Sequence, residues 1–430
     1  MTPTDEHRQL AASLHDLLSD TDTAALTRDW AAGEHAAGLA LLARLADLGA
    51  CGLAVPTRFG GLGAGAVELA VVFETLGRHA VPGPLVESFA VVPAVVAALP
   101  VAAGLLPRLV AGELATVALP ALPVLPPWPP APGDHVTDGP RQFPALDGAA
   151  VDNGEQLAAG TDSRALPGPG HGDPPVFQST DQGRQFPATN KTPVDNRERP
   201  TMAPIPQFPG SGRGDPPVFQ SSGGHRQFSS GRPGAVDAGL APDADVATPL
   251  LVIGSTVYTG LVGERSESVD PARRLFALTP GEALGPAGDG FGLGVVCVAA
   301  RLLGLGHGML DLACAHVRAR RQFGRPVGEF QAVKHQLADV LVALEFARPL
   351  VFEAARTLAA RDVSAAKVAA ADAAYLAART ALQVHGALGY TQEYDLARRL
   401  LAVRALREAW GTRSWHRARV LDALTAPASR

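Results

Sequence analysis

The sequence predicts an α+β chain: a helical segment over residues 1–115, a β-containing middle over 116–280 and a second helical segment over 281–430. Three observations predict that order. Apolar residues recur at helical spacing from Arg8 to Leu114; Pro, Gly, Gln and Thr dominate from Ala115 to Gly281; and long Ala/Leu/Arg-rich stretches fill Phe291 to Leu424. With 430 residues, 47% hydrophobic content and a mean hydropathy of +0.10, the chain can bury a sizeable core in two or three domains.

In the first segment, LLARLADLGACGLAV and VELAVVFETLGRHAV carry the helical period, and the turn-rich PTRFGGLGAG and VPGPLVE interrupt it. The opening MTPTDEHRQL is acidic and polar, with no apolar stretch of signal-peptide type. The apolar run from Phe89 to Leu99 is too short to cross a bilayer. A cytoplasmic location without a membrane partner is expected.

The middle segment contains the β-type run PLLVIGSTVYTGLV and an internal repeat. GDPPVFQSTDQGRQFP begins at Gly172 and GDPPVFQSSGGHRQFS at Gly214, 42 residues later, and a weaker copy, GDHVTDGPRQFP, begins at Gly133. The period would suit a propeller blade, but the copies are dominated by Pro, Gly and polar residues that cannot bury a core. Residues 151–235 therefore read as a disordered, low-complexity insert in a β-domain.

In the last segment, Asp311 to Arg320, Gln331 to Ala360 and Ser364 to Val384 read as helices separated by Gly- and Pro-containing turns. Pro349 is expected to kink or divide the second. The net charge of −5 and the absence of a basic tract argue against nucleic acid as a partner. Cys51, Cys297 and Cys314 are odd in number and lack metal-ligand spacing, so they read as reduced, core-facing thiols, and no metal site is expected. His307, His316, His335, His385 and His416 are spread over helices, with no Asp or Cys at catalytic or metal spacing.

Arg320, Gln322 and Phe323 stand where a helix gives way to Gly324, Pro326 and Gly328. A guanidinium, an amide and a ring presented together suit a phosphate beside an aromatic ligand. Taken alone, the same residues fit a helix-capping arginine and a core phenylalanine better than a ligand site. Gln383, Gly386 and Gly389 place a small-residue turn after a later helix, where backbone can approach a ligand.

RRQFGRPVGEFQ, QVHGALGYTQEY and WGT, in this order and spacing, resemble the C-terminal helical domain of the acyl-CoA dehydrogenases. LGACGLAVPTRFGGLGAGAVELAVVFETLGR resembles that family's N-terminal helical segment, so the resemblance covers about residues 5–115 and 280–420. It implies an N-terminal helical domain, a middle β-barrel domain, here interrupted by the repeat, and a C-terminal four-helix bundle. It also implies FAD as cofactor and an acyl-CoA thioester as substrate. Carried over by position, Arg320, Gln322 and Phe323 would bind the FAD of a neighbouring subunit, with the arginine on its pyrophosphate. Gln383, Gly386, Ala387 and Gly389 would reach its adenosine half, and Thr412 matches a flavin contact. Ala387 stands where many members have a second glycine.

The larger departures concern the base. The family's α,β-desaturation needs a glutamate to remove the α-proton while flavin takes the β-hydride. Most members carry it immediately before Gly-Thr, where this chain has Trp410; a minority carry it at the position of Gly294. Glu408 and Glu393 are the remaining substitutes. The middle segment, ATVALPALPVLPPWPPAPGDHV, also lacks the T-E-P-x-x-G-S-D pattern that covers the flavin in the family. The chain is similar to glutamate-lacking subunits of actinobacterial heteromeric members, some linked to steroid side-chain breakdown. That resemblance implies a flavoprotein subunit working in a homo- or hetero-oligomer with a glutamate-bearing partner, its electron acceptor unassigned. The alternatives are a non-catalytic structural or ligand-binding protein of the same fold, and an active homotetramer using Glu408 as base.

Overall fold

The structure, a computed structural model, describes residues 4–118 and 239–425. The repeat and most of the stretch that departs from the flavin-covering pattern lie outside the described residues.

The N-terminal segment forms α1 (Asp5–Ser19), α2 (Thr23–Ala32), α3 (Ala36–Asp47), α4 (Ala66–Arg78), α5 (Val92–Val96) and α6 (Ala102–Val110). Local chemistry sets several starts. Thr4 and His7 exchange side-chain and backbone hydrogen bonds at the head of α1, and Asp22 accepts from the Ala25 amide at the head of α2. Just before α5, a wider helical turn over Glu87–Val91 carries a buried carboxylate inside an otherwise apolar run.

The described strands are β1 (Ala115–Ala118), β2 (Gly239–Pro242), β3 (Thr248–Ile253), β4 (Thr256–Ser266) and β5 (Leu275–Pro286). They form a mixed sheet in the order β1-β3-β4-β5-β2; the β1–β3 pair is parallel and the other pairs are antiparallel. The PLLVIGSTVYTGLV run thus becomes the β3–β4 hairpin. Trp30 of α2 is buried and donates its indole N–H to Asp243, just beyond β2, at 3.0 Å. That bond ties the N-terminal helices to the sheet.

The C-terminal segment contains α7 (Phe291–Ala319), a small hairpin of β6 (Arg321–Gln322) and β7 (Arg325–Pro326), α8 (Gln331–Thr357), α9 (Ala360–His385), α10 (Asp395–Glu408) and α11 (Arg413–Thr425). α7, α8, α9 and α10 pack as a bundle, and α11 lies on α9. From Ala370 to Ala381 the buried face of α9 is entirely alanine, which brings its neighbours close.

Two sequence expectations need correction. The helix read from Asp311 begins twenty residues earlier, at Phe291, because the glycines of FGLGVVCVAARLLGLGHGML serve packing: a side chain at Gly304 would collide with the backbone of α4. Pro349 does not divide α8, which runs unbroken from Gln331 to Thr357. Packing along α7 and α9 outweighs the one lost backbone bond. α7 is long and apolar enough to cross a membrane, but 78% of its most apolar stretch is buried inside this fold, as befits a core helix.

Candidate functional site

α7 organises the candidate residues into two groups, one at each of its ends. At its C-terminus Arg320 turns extended, and the β6–β7 hairpin projects beyond it. Phe323 and Gly324 form the two-residue turn with φ of +52° and +80°, values that suit a tight hairpin and favour glycine. Arg320, Gln322 and Phe323 are all exposed, and Phe323 is 89% exposed. An aromatic ring so exposed on a tight turn adds nothing to its own chain's core. The Arg325 guanidinium lies over the Phe330 ring at 4.1 Å and stiffens the base of the hairpin.

The second motif meets this end. His385, at the end of α9, packs its ring against His316 of α7 with centroids 4.2 Å apart. Its Nδ1 is 2.7 Å from the Ala381 carbonyl oxygen and its Nε2 is 3.0 Å from the Tyr394 hydroxyl. Burial, followed by the nearby His385 and Arg320, pushes the His316 pKa down and favours the neutral ring. Through this contact the Arg320 hairpin and the Gln383–Gly389 turn lie at one end of the bundle. Gln383, Gly386 and Ala387 are exposed there, whereas Gly389 is buried, and a methyl group on it would press on Leu382 and Leu396. Gly389 therefore has a packing reason within its own chain.

The third motif lies at the opposite end. Trp410 packs on the first turns of α7, with its ring 5.9 Å from that of Phe291. A Cβ on Gly294 would stand 2.6 Å from one indole carbon and 2.8 Å from two more. Gly294 and Trp410, the two positions that the resemblance assigns to the base, are 116 residues apart in sequence yet meet at one point, which the indole fills. The Trp410 N–H donates to Glu87 Oε1 at 3.3 Å, and Arg273 approaches the same oxygen at 3.5 Å. Glu87 is 2% exposed.

The backbone at this point is held in an uncommon conformation. Trp410 has φ +60° and Gly411 φ +108°. His416 Nε2 lies 3.0 Å from the Trp410 carbonyl oxygen and its Nδ1 lies 3.1 Å from Ser364 Oγ. Burial pushes the His416 pKa down to about 4, so the neutral ring donates from Nε2 and accepts at Nδ1. One turn away, Lys367 donates to the last carbonyls of α10, Leu406 at 2.8 Å and Arg407 at 3.0 Å. Burial lowers its pKa to about 7, opposed by the nearby Glu408 carboxylate. Thr412 is exposed and caps α11 by accepting from the Trp415 amide at 3.2 Å.

The two groups are far apart. Gly294 and His316 are separated by about 33 Å of α7 at 1.5 Å per residue. Arg320, Gln322, Phe323, Gln383, Gly386 and Ala387 therefore sit together at one end, and Trp410 and Thr412 at the other. Glu408 and Glu393 are exposed, and the atoms nearest Gly294 all belong to Trp410. Sequence reading missed Glu87 and Lys367. Their signals were a lone carboxylate entering the apolar run before Phe89 and one of only three lysines in the chain.

Two family models match: the description "Acyl-CoA dehydrogenase, N-terminal domain" over residues 4–113 and "Acyl-CoA dehydrogenase, C-terminal domain" over 287–425. The chain belongs to the acyl-CoA dehydrogenase family. Among curated relatives it is similar to the acyl-CoA dehydrogenase IpdE2 of Mycolicibacterium smegmatis, 33% identical over 144 residues, covering 33% of this chain and 46% of that one. The match thus spans about half the length of that relative. Among solved structures it is similar to a Tcur3481–Tcur3483 steroid ACAD variant, with TM-score 0.62, 19% identity and 98% of both chains covered. The ChsE4–ChsE5 complex from Mycobacterium tuberculosis gives TM-score 0.61 and 18% identity over 99% of both chains. A glutaryl-CoA dehydrogenase from Mycobacterium smegmatis in complex with FADH2 gives TM-score 0.62 and 14% identity over 99% of this chain and 96% of that one. At these identities the structures speak to the fold of this acyl-CoA dehydrogenase family member.

Proposed function

We propose that this family member is a flavoprotein subunit that takes part in α,β-desaturation of an acyl-CoA and depends on a glutamate-bearing partner chain for the base. The observation that carries the reading is the Trp410 indole lying over Gly294, anchored on Glu87. Both family positions for the base converge there, and an indole N–H already committed to a carboxylate cannot accept an α-proton. Glu408 is a poor substitute, because it is exposed at the end of α10 beside Lys367.

The residues present suit FAD shared between subunits. Arg320, Gln322 and Phe323 are free of their own chain's core and offer a guanidinium, an amide and an aromatic face, the donor set for a pyrophosphate beside a flat ring. Gln383, Gly386 and Ala387 would complete that end toward the adenosine half. Thr412, at the far end of α7, would contact a different cofactor molecule, since no single FAD reaches both ends. When bound, FAD supplies acceptance of the substrate's β-hydride. This chain's residues bind and orient it. Exposed apolar side chains on α8, Val342, Phe346 and Leu350, repeat every four residues and support an assembly with another chain.

The test is to purify the chain alone and together with a glutamate-bearing family member encoded beside it. Flavin absorbance and acyl-CoA-dependent bleaching confined to the pair are expected. Desaturation by the chain alone would overturn the partner requirement and favour Glu408, whereas colourless protein in both preparations would leave a non-catalytic member of the fold.

A further inference from the structure

A cavity of about 30 Å³ lies where α2, α7, α10 and the loop before β5 converge. That is room for one or two waters or a monatomic ion, and too little for a phosphoryl group. Its polar lining is Thr27, Asp270, Arg273, Arg301 and Arg398, three guanidiniums and one carboxylate, with Glu87 and Asp395 pairing with Arg273 and Arg398 outside the lining.

The hydrogen bonds of these arginines leave a defined deficit. Arg301 is 8% exposed; its Nη2 donates to the Val81 carbonyl, but its Nε–H is buried with no acceptor. Arg398 donates through Nη1 to the Thr23 carbonyl at 2.7 Å and Thr27 Oγ1 at 2.8 Å, and it pairs with Asp395. Its Nε–H is likewise buried and unpartnered. Arg273 is drawn toward Glu87. Asp270 spends one oxygen on the Ala272 amide at 3.1 Å. Two buried donors without acceptors, among cations that repel one another, are costly in a low dielectric. An occupant that only accepts hydrogen bonds and carries negative charge satisfies both deficits, whereas a water brings two donors of its own.

We propose that this cavity is a binding site for a small monovalent anion, chloride or another halide, held by Arg273, Arg301 and Arg398. The anion bridges α7 and α10 and the loop that precedes β5, and so stabilises the junction between the sheet and the helical bundle. Asp270 opposes it and sets its affinity.

The full-length chain is purified in sodium gluconate, and its thermal midpoint is followed as chloride replaces gluconate at constant ionic strength. A saturating rise in midpoint is expected. Asp270→Asn, nearly isosteric, removes the opposing charge and should lower the half-saturating chloride concentration by roughly tenfold, a change of about 1.4 kcal/mol. Arg273→Gln should raise that concentration. Crystals soaked in bromide should show anomalous density in the cavity. Equal midpoints in chloride and gluconate, or the same chloride response in wild type and Asp270→Asn, would overturn the proposal and leave the cavity to ordered water. Because Asp270→Asn must tighten binding, a folding defect in Arg273→Gln does not blunt the test.

Discussion

Gly294→Ala should be destabilising only while Trp410 is present. The added methyl would meet the indole at 2.6 Å, a distance real Cβ contacts do not reach, so the ring or α7 must shift. Overpacking of this kind costs about 1–3 kcal/mol, and replacing a helical glycine with alanine, here in the first turn of α7, returns at most about 0.5–1 kcal/mol. The net expected loss is therefore about 0–2.5 kcal/mol. Trp410→Ala alone should cost about 3–5 kcal/mol, from the lost ring and from leaving Glu87 without its indole donor. In that background the methyl finds space and only the helix gain remains, so Gly294→Ala becomes neutral or stabilising. The coupling between the two substitutions is expected at about 1–3 kcal/mol. Urea unfolding of the wild type, both single variants and the double variant measures it. Additive effects would mean that the indole does not lie over Gly294, and the argument against a base in this chain would lose its footing.

Other expectations follow from the same end of the bundle and from the hairpin. His416 has a pKa of about 4 in the fold against an ordinary value near 6.5, so the unfolded chain binds the extra proton first as pH falls. Stability should drop by up to about 2–3 kcal/mol between pH 6.5 and 4, and His416→Gln should flatten that slope in pH-resolved denaturation. Lys367 behaves in the same sense on the alkaline side. With a folded pKa of about 7 against 10.5, the unfolded state holds more protons between those values, so wild-type stability should rise with pH across that window relative to Lys367→Met. Arg320→Gln should leave the unfolding midpoint within about 0.5 kcal/mol of wild type, since the side chain is exposed, yet lower the flavin-to-protein absorbance ratio of the co-purified pair. An unchanged ratio would remove Arg320 from the cofactor contacts.

Much of this was legible in the sequence because it is local. Helical spacing in VELAVVFETLGRHAV, the β-branched run of PLLVIGSTVYTGLV and the motif RRQFGRPVGEFQ report on their own segments, and each fell on the element expected. Reading failed where packing overrides propensity: five glycines hid the first two-thirds of α7, and a proline expected to break α8 did not. The histidines were read one at a time, so nothing suggested that His316 and His385 stack, or that His416 holds the Trp410 carbonyl.

By itself the sequence determined the helical, β, helical order, the family, and that neither position the resemblance assigns to the base, Gly294 or Trp410, is a carboxylate. Those properties reside in residue type and spacing along the chain. Only the tertiary structure decided that Gly294 and Trp410 occupy one point, that Glu87 anchors the indole there, and that the residues proposed for the cofactor divide between the two ends of α7. The reason is physical: a glycine's missing side chain and a tryptophan's ring become complementary only when the start of α7 crosses the turn after α10, and no spacing rule encodes that crossing.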